Sequence, residues 1–282
     1  MQRHFAQWKK SFVPITTDSQ VAGFGMQDIL RGFHNFPLAL FLAWSDIRQR
    51  YRRSTLGPLW ITISTGVMIG CLGLIFGNIF KAPREIFLPF LSVGLIVWSF
   101  ISSVLMGATS VFADSEGVVK QLPLPLFTHV LRMILRNIII FFHNLVLIPI
   151  VFFCVGKGLS WDVFLFIPGF LLLSLNLAWV ALLLGVVCTR FRDITQIIGS
   201  ILQIAFYVTP IIWLPTMLPG RAAVYVLEPN PFFHLLEIVR GPWLGDAPTY
   251  ISWLYVVVML VAGWVFTIVI YNRYKTRIAY WL

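Results

Sequence analysis

Residues 86–113, IFLPFLSVGLIVWSFISSVLMGATSVFA, contain no Asp, Glu, Lys or Arg. Twenty helical residues, at about 1.5 Å rise each, cover the roughly 30 Å hydrocarbon core of a bilayer, so this stretch is long enough to cross one. Five more stretches of at least 20 residues share the property: 59–80, 137–156, 163–189, 194–220 and 247–272. Their length and lack of charge predict an all-α integral membrane protein with six transmembrane helices over residues 59–272.

The composition agrees. The chain is 59% hydrophobic and 11% charged, leaving room for one membrane domain and no large soluble one. In a soluble protein the formal charge of +10 would point to nucleic acid. Here the basic residues alternate along the chain: 8, 3, 2 and 3 in 1–58, 114–136, 190–192 and 273–282, against 2, 1 and 2 in 81–85, at Lys157 and in 221–246. The positive-inside rule then places both termini in the cytoplasm of a multi-pass protein, with no nucleic-acid role. The first 35 residues hold no apolar run long enough for a signal peptide, which agrees.

A coupled carrier needs a titratable group at mid-membrane. Asp114, Asp162 and Asp193 all sit at span borders, so the energy for transport is expected to come from elsewhere. A secondary transporter or lipid flippase would also need an internal repeat or a buried titratable group, and the sequence displays neither. Cys71, Cys154 and Cys188 lie within spans, without the spacing of a disulfide framework or metal site.

Residues 1–35 are interrupted by Pro14, Thr16, Thr17, Asp18, Ser19, Gly23 and Gly25, and read as a loosely ordered cytoplasmic arm. Residues 36–58 read as an amphipathic interface helix: Leu40, Trp44, Ile47 and Tyr51 form one stripe, with Arg48, Arg50, Arg52 and Arg53 largely off it. Pro37 suits its first turn, and Gly57-Pro58 ends it. Such a helix lies in the interface plane, a solvated basic flank being the other reading. In the first span Gly66, Gly70, Gly73 and Gly77 share a face that permits close helix approach. Packing within the subunit is weighed there against a subunit–subunit or channel face.

Residues 114–136 form the first sizeable cytoplasmic connection, with Leu122-Pro123-Leu124-Pro125 predicting a short helical turn and an extended elbow. Residues 208–245 are apolar yet punctuated by Pro210, Pro215, Pro219, Pro229, Pro231 and Pro242, which predicts re-entrant half-helices before the last span. Glu237 and Arg240, three apart, read as a surface helix pair. Residues 273–282 are a cytoplasmic tail.

Catalytic signatures are absent. The only Gly-Lys step, Gly156-Lys157, is followed by Gly158, so no phosphate-binding P-loop is formed. The five histidines show no zinc-ligand spacing, and no metal is expected. His143 beside Asn144 reads as a polar pair between helices. A membrane-embedded transferase would have only His129 and Asp114 as candidates. The chain is instead rich in aromatics, with 25 Phe, 11 Trp and 8 Tyr. Most face lipid or neighbouring helices. A minority, with Trp60, Phe76, Trp98, Phe100, Phe206 and Tyr207 as candidates, can line a path along which sugar C–H faces slide.

The helix Trp44-Ser45-Asp46-Ile47-Arg48-Gln49-Arg50-Tyr51-Arg52-Arg53-Ser54-Thr55-Leu56-Gly57-Pro58-Leu59-Trp60, followed by six spans, resembles the ABC-2 type membrane subunits that export polysaccharides. Thr209-Pro210-Ile211-Ile212 and Asn230-Pro231 are similar to that family's proline-marked segment, and Lys120 to Pro123 to its cytoplasmic elbow. The resemblance implies a homodimeric permease in a bacterial inner membrane, paired with two copies of a separate ATPase that holds ATP and Mg²⁺, and no cofactor in this chain. It implies an ATPase-coupling interface at Trp44, Asp46, Arg48, Arg50, Tyr51, Arg52, Glu116 and Lys120. The substrate it implies is a polyprenyl-diphosphate-linked glycan, O-antigen foremost, with capsular polysaccharide or teichoic acid as alternatives. Arg48, Arg50, Arg52 and Arg53 supply the dense positive field that its anionic head group requires.

Overall fold

The structure, a computed structural model, describes residues 24–50, 52, 57, 59–122 and 124–282, and all regular structure among them is helical. Two helices, α1 (Phe24–His34) and α2 (Phe36–Arg50), precede the first apolar helix α3 (Leu59–Ile79). Then come α4 (Arg84–Ser110), the short α5 (Glu116–Gln121), α6 (Leu126–Leu145) and α7 (Leu147–Val155). A 3-10 turn at Trp161–Leu165 leads into α8 (Phe166–Arg190), followed by α9 (Ile194–Val208). The irregular segment after α9 contains a 3-10 turn at Pro215–Met217 and leads to α10 (Gly220–Leu227) and α11 (Pro231–Leu244). The long α12 (Tyr250–Tyr274) and, past a 3-10 turn, α13 (Ile278–Trp281) complete the chain.

Among the described residues five segments are long and apolar enough to cross a membrane: Leu59–Ile79, Arg84–Ser110, Leu126–Val155, Trp161–Arg190 and Tyr250–Trp281. Ile194–Val208 is a shorter apolar helix. At its 15 residues, about 22 Å of rise, it does not span the roughly 30 Å core, so the expected sixth full-length helix is not formed. Thr209-Pro210 causes the shortfall: proline disfavours helical backbone at the residue before it, and Thr209 is extended at φ −80°, ψ 135°.

α4 is the central element. Of its most apolar window, 78% is buried, against 11% for α3. A helix apolar on every side belongs in a core, and α4 packs against α3, α6, α8 and α11. α8 packs along α4 and α12. The contact with α12 is close because Gly263 faces the Trp179 indole, whose ring a Cβ would strike. Asn176 joins the same two helices, donating to the Val256 carbonyl at 3.2 Å and accepting from Trp179 Nε1 at 3.1 Å.

Two boundaries and one ion pair depart from the sequence reading. Residues 24–34, assigned to a loose arm, form α1, packed on α6 and α12. Gly25, read as a breaker, is a point of close approach: its Cβ would collide with Asn272, and one at Gly32 would lie 2.8 Å from Phe127. Residues 1–23 lie outside the described residues. Secondly, the connection ascribed to 114–136 ends at Pro125, and Arg132 and Arg136 belong to α6, where ion pairing allows their charge. Its short helical turn is α5, and Leu122 is extended at ψ 133° as expected, while Pro123 lies outside the described residues. Thirdly, the pair Glu237–Arg240 is not a surface pair, because Arg240 is buried at 1% exposure and Glu237 is half-buried.

The helices divide the molecule into two ends. The proximal end carries α1, α2, α5 and the carboxyl terminus. The distal end carries the α3–α4 turn, the 156–160 loop and residues 209–249.

Candidate functional site

At the proximal end α2 is fastened to α6. Its buried face is Ala39, Ala43 and Ile47, small enough for close packing on α6. This face shares Ile47 with the predicted stripe but takes Ala39 and Ala43 in place of Leu40 and Trp44, which are turned outward, Trp44 at 48% exposure. The stripe follows apolar residues at helical spacing, whereas close packing selects the alanines. Beside this face the Asp46 carboxylate receives Arg132 in bidentate fashion, through Nε at 2.8 Å and through Nη2. Arg136 Nη1 stands at 4.0 Å from the same carboxylate. Bidentate guanidinium–carboxylate pairing fixes orientation as well as distance.

Arg48, Arg50 and Arg52 are exposed, while Tyr51 and Arg53 lie outside the described residues. On α5, Lys120 Nζ bonds Glu116 Oε1 at 2.6 Å, an exposed pair at helical spacing. That hydrogen bond, with the ammonium charge, holds the Glu116 carboxyl below its ordinary range.

A second carboxylate ties α1 down, and the sequence reading passed over it. Asp28, 5% exposed, accepts from the Phe127 backbone N–H at 3.1 Å and the Tyr271 hydroxyl at 2.7 Å, and pairs with Lys275 at 2.9 Å. It thereby binds α1 to the first turn of α6, where a negative charge suits the helix dipole, and to the end of α12. The available signal was the spacing Gly25, Asp28, Ile29, Gly32, one helical face of small residues around an acid.

The aromatic candidates separate into three groups. Trp60 and Tyr207 are exposed at 58% and 59%. Phe76 and Phe206 are half-buried, against Phe80 and against Trp98 respectively. Trp98 is buried between Phe206 and Phe232. Phe100 is at 3% exposure between Phe141 and Phe170, so it has no surface to offer a channel and is a core residue.

The glycine stripe is also divided. Gly66, Gly73 and Gly77 face Leu147, Leu88 and Phe87 of this chain, while a Cβ on Gly70 would meet nothing within 4 Å. His129 is buried at 2% exposure, which removes it as an interfacial catalyst. His143 bonds the Ile139 carbonyl of its own helix at 2.7 Å rather than pairing across helices.

Arg240 organises the distal end. Its guanidinium lies over the Phe90 ring at 4.0 Å, donates through Nη1 to the Pro210 carbonyl at 2.6 Å, and pairs through Nη2 with Glu237 at 2.8 Å. Asn230, which also caps α11, donates to Thr209 Oγ1 at 2.9 Å. Arg240 thus satisfies a carbonyl of the broken backbone after α9, as irregular backbone in an apolar setting requires, and Asn230 anchors the Thr209 side chain beside it. Beside this pin is a cavity of about 690 Å³, whose lining includes Lys157, Glu237, Arg240 and Asp246. Among the described residues no group of three His, Cys, Asp or Glu is placed to hold a metal ion.

Five long apolar helices, a shorter sixth, and a preceding helix ion-paired to the bundle define a multi-pass helical membrane protein. The chain belongs to the ABC-2 type transporter family, whose pattern matches residues 38–243, from the first turn of α2 to the last turn of α11. It is a membrane permease, a transport subunit, and ABC-2 permeases pair with ABC ATPase subunits. Among curated proteins it is 25% identical over 201 residues to the O-antigen export system permease protein RfbA of Myxococcus xanthus, covering 71% of this chain and 77% of the relative. It is 22% identical over 255 residues to the protein of the same name from Klebsiella pneumoniae, covering 86% and 94%.

Proposed function

We infer that this permease exports a lipid-linked polysaccharide, O-antigen foremost, outward across a bacterial inner membrane. The glycan, carried on a polyprenyl diphosphate, passes between two copies of the chain, and two copies of a separate ATPase supply the energy. The proximal end is cytoplasmic, as the distribution of Lys and Arg suggests.

The observation that carries this reading is the bidentate contact of Asp46 with Arg132. The outward face of α2, with Trp44, Arg48 and Arg50, is available to an ATPase together with exposed Arg52 beyond the helix, and α5 presents Glu116 and Lys120 at the same end. A push on α2 reaches α6 through the Asp46 contact and reaches α4 through the packing of α6. The exposed arginines provide a positive field for the diphosphate head group. Trp60 and Tyr207 offer aromatic faces on the outside of the chain, where a second copy completes the path.

Deletion of the gene tests the function. Surface glycan is expected to disappear while finished lipid-linked polymer accumulates inside the cell. Unchanged surface glycan, or loss of the polymer itself without internal accumulation, overturns the reading.

A further inference from the structure

The distal cavity lies away from the helices assigned to coupling, and its chemistry is specific. Its most buried polar lining group, Arg240, donates through its two Nη atoms to Glu237 and to the Pro210 carbonyl, while its Nε has no hydrogen-bond partner among the described residues. The two charges left over are one of each sign, Lys157 and Asp246. The lining is therefore neutral in sum but holds donors and acceptors together, with Thr216 adding a hydroxyl. Phe80 and Phe233 supply aromatic wall. The volume of about 690 Å³ falls in the range of small-molecule sites and exceeds what a single anion fills.

Each feature selects among ligands. A free phosphate or carboxylate would meet two lining carboxylates, Glu237 and Asp246, which repel it. A glycerophospholipid would put acyl chains in the depth and its head at the rim, but here an ion pair with side-chain exposures of 2% and 24% occupies the depth. A neutral polyhydroxylated ring fits both walls: its hydroxyls donate to Glu237 and Asp246 and accept from Lys157, and its C–H face lies on phenylalanine.

We propose that the distal cavity is a binding subsite for one or two neutral sugar units, engaged by the glycan as it leaves the channel. This rests on the reading of the chain as a glycan exporter. Asp246 is exposed at the rim and is the residue through which the sugar is held without disturbing the fold. Met217, at 40% exposure on the Pro215–Met217 turn, is where a larger side chain fills the space.

The test uses the purified full chain in phosphatidylcholine nanodiscs. The probe is oligosaccharide released by mild acid from the producing strain's own surface glycan, and binding is measured by titration calorimetry. The unaltered chain is expected to bind, Asp246→Asn to weaken binding roughly tenfold through loss of a charged acceptor, and Met217→Trp to abolish it. Equal melting temperatures of the three proteins exclude misfolding, and Asp246→Asn alone decides if Met217→Trp unfolds. No binding by the unaltered chain, or equal binding by Asp246→Asn, overturns the subsite. Co-purifying phospholipid that is lost in Met217→Trp while sugar binding persists overturns it in favour of a lipid. If the deletion strain loses export but Asp246→Asn restores it with unchanged sugar binding, the subsite fails and the exporter reading stands; normal surface glycan in the deletion strain removes both.

Discussion

Replacing Arg240 with methionine tests the physics of the distal end most directly. The substitution keeps an unbranched apolar stem but removes the guanidinium. Lost with it are the hydrogen bond to the Pro210 carbonyl, about 1.5–3 kcal/mol for a charged donor, and the stack on Phe90, up to about 2 kcal/mol when desolvated. Relief of the guanidinium's own desolvation offsets part of this. Glu237, with a quarter of its side chain exposed, regains some water. A net loss of about 2–4 kcal/mol is expected, which for a chain of this size corresponds to a fall of roughly 5–15 °C in melting temperature. Differential scanning fluorimetry in detergent measures it, and limited proteolysis should show faster cleavage within residues 208–220. The double variant Arg240→Met with Glu237→Leu should lose less than the two single losses added, because neither charge is then stranded. An Arg240→Met protein that melts like the parent and resists protease equally would refute the claim that this side chain holds the broken backbone in place.

Three further outcomes are expected. Asp46→Ala strands Arg132 and should cut export at least severalfold while the protein still inserts, since the pair, with side chains 16% and 25% exposed, contributes about 1–3 kcal/mol to stability; partial recovery in the swap Asp46→Arg with Arg132→Asp, read as surface glycan at equal protein level, checks that the contact transmits force. Gly73→Leu collides with Leu88 and should destabilise by roughly 1–3 kcal/mol, whereas Gly70→Leu should leave the isolated chain as stable as the parent, both read by melting temperature. A cysteine placed at Arg277 should react with a membrane-impermeant maleimide only after the inner membrane is opened; labelling from outside would invert the topology.

Much of this architecture is legible in the chain because hydrophobic length and charge placement are one-dimensional quantities. The stretches around 59–80, 86–113, 163–189 and 247–272 each became a long apolar helix, since a bilayer asks only for about 20 uncharged helical residues. The motif at Trp44–Trp60 likewise pointed to the ABC-2 family, to which the chain belongs. The site was read less well. Leu40, Trp44 and Ile47 share a helical stripe, but of these three Ile47 alone is buried, alongside Ala39 and Ala43, because close helix approach rewards small side chains. Phe100 and Trp98 carry the same local pattern as Trp60, yet the first two are buried and the last is exposed, a difference made by which helices surround α4 and which leave α3 open.

Residues far apart in sequence supply the features that no local pattern contains. Asp28 meets Tyr271 across 243 positions and Asp46 meets Arg132 across 86. Arg240 reaches back 30 positions to Pro210. Hydropathy and period report what each segment wants from its surroundings. Only the packed bundle, by bringing opposite charges and open carbonyls together where water is scarce, decides which partner satisfies it.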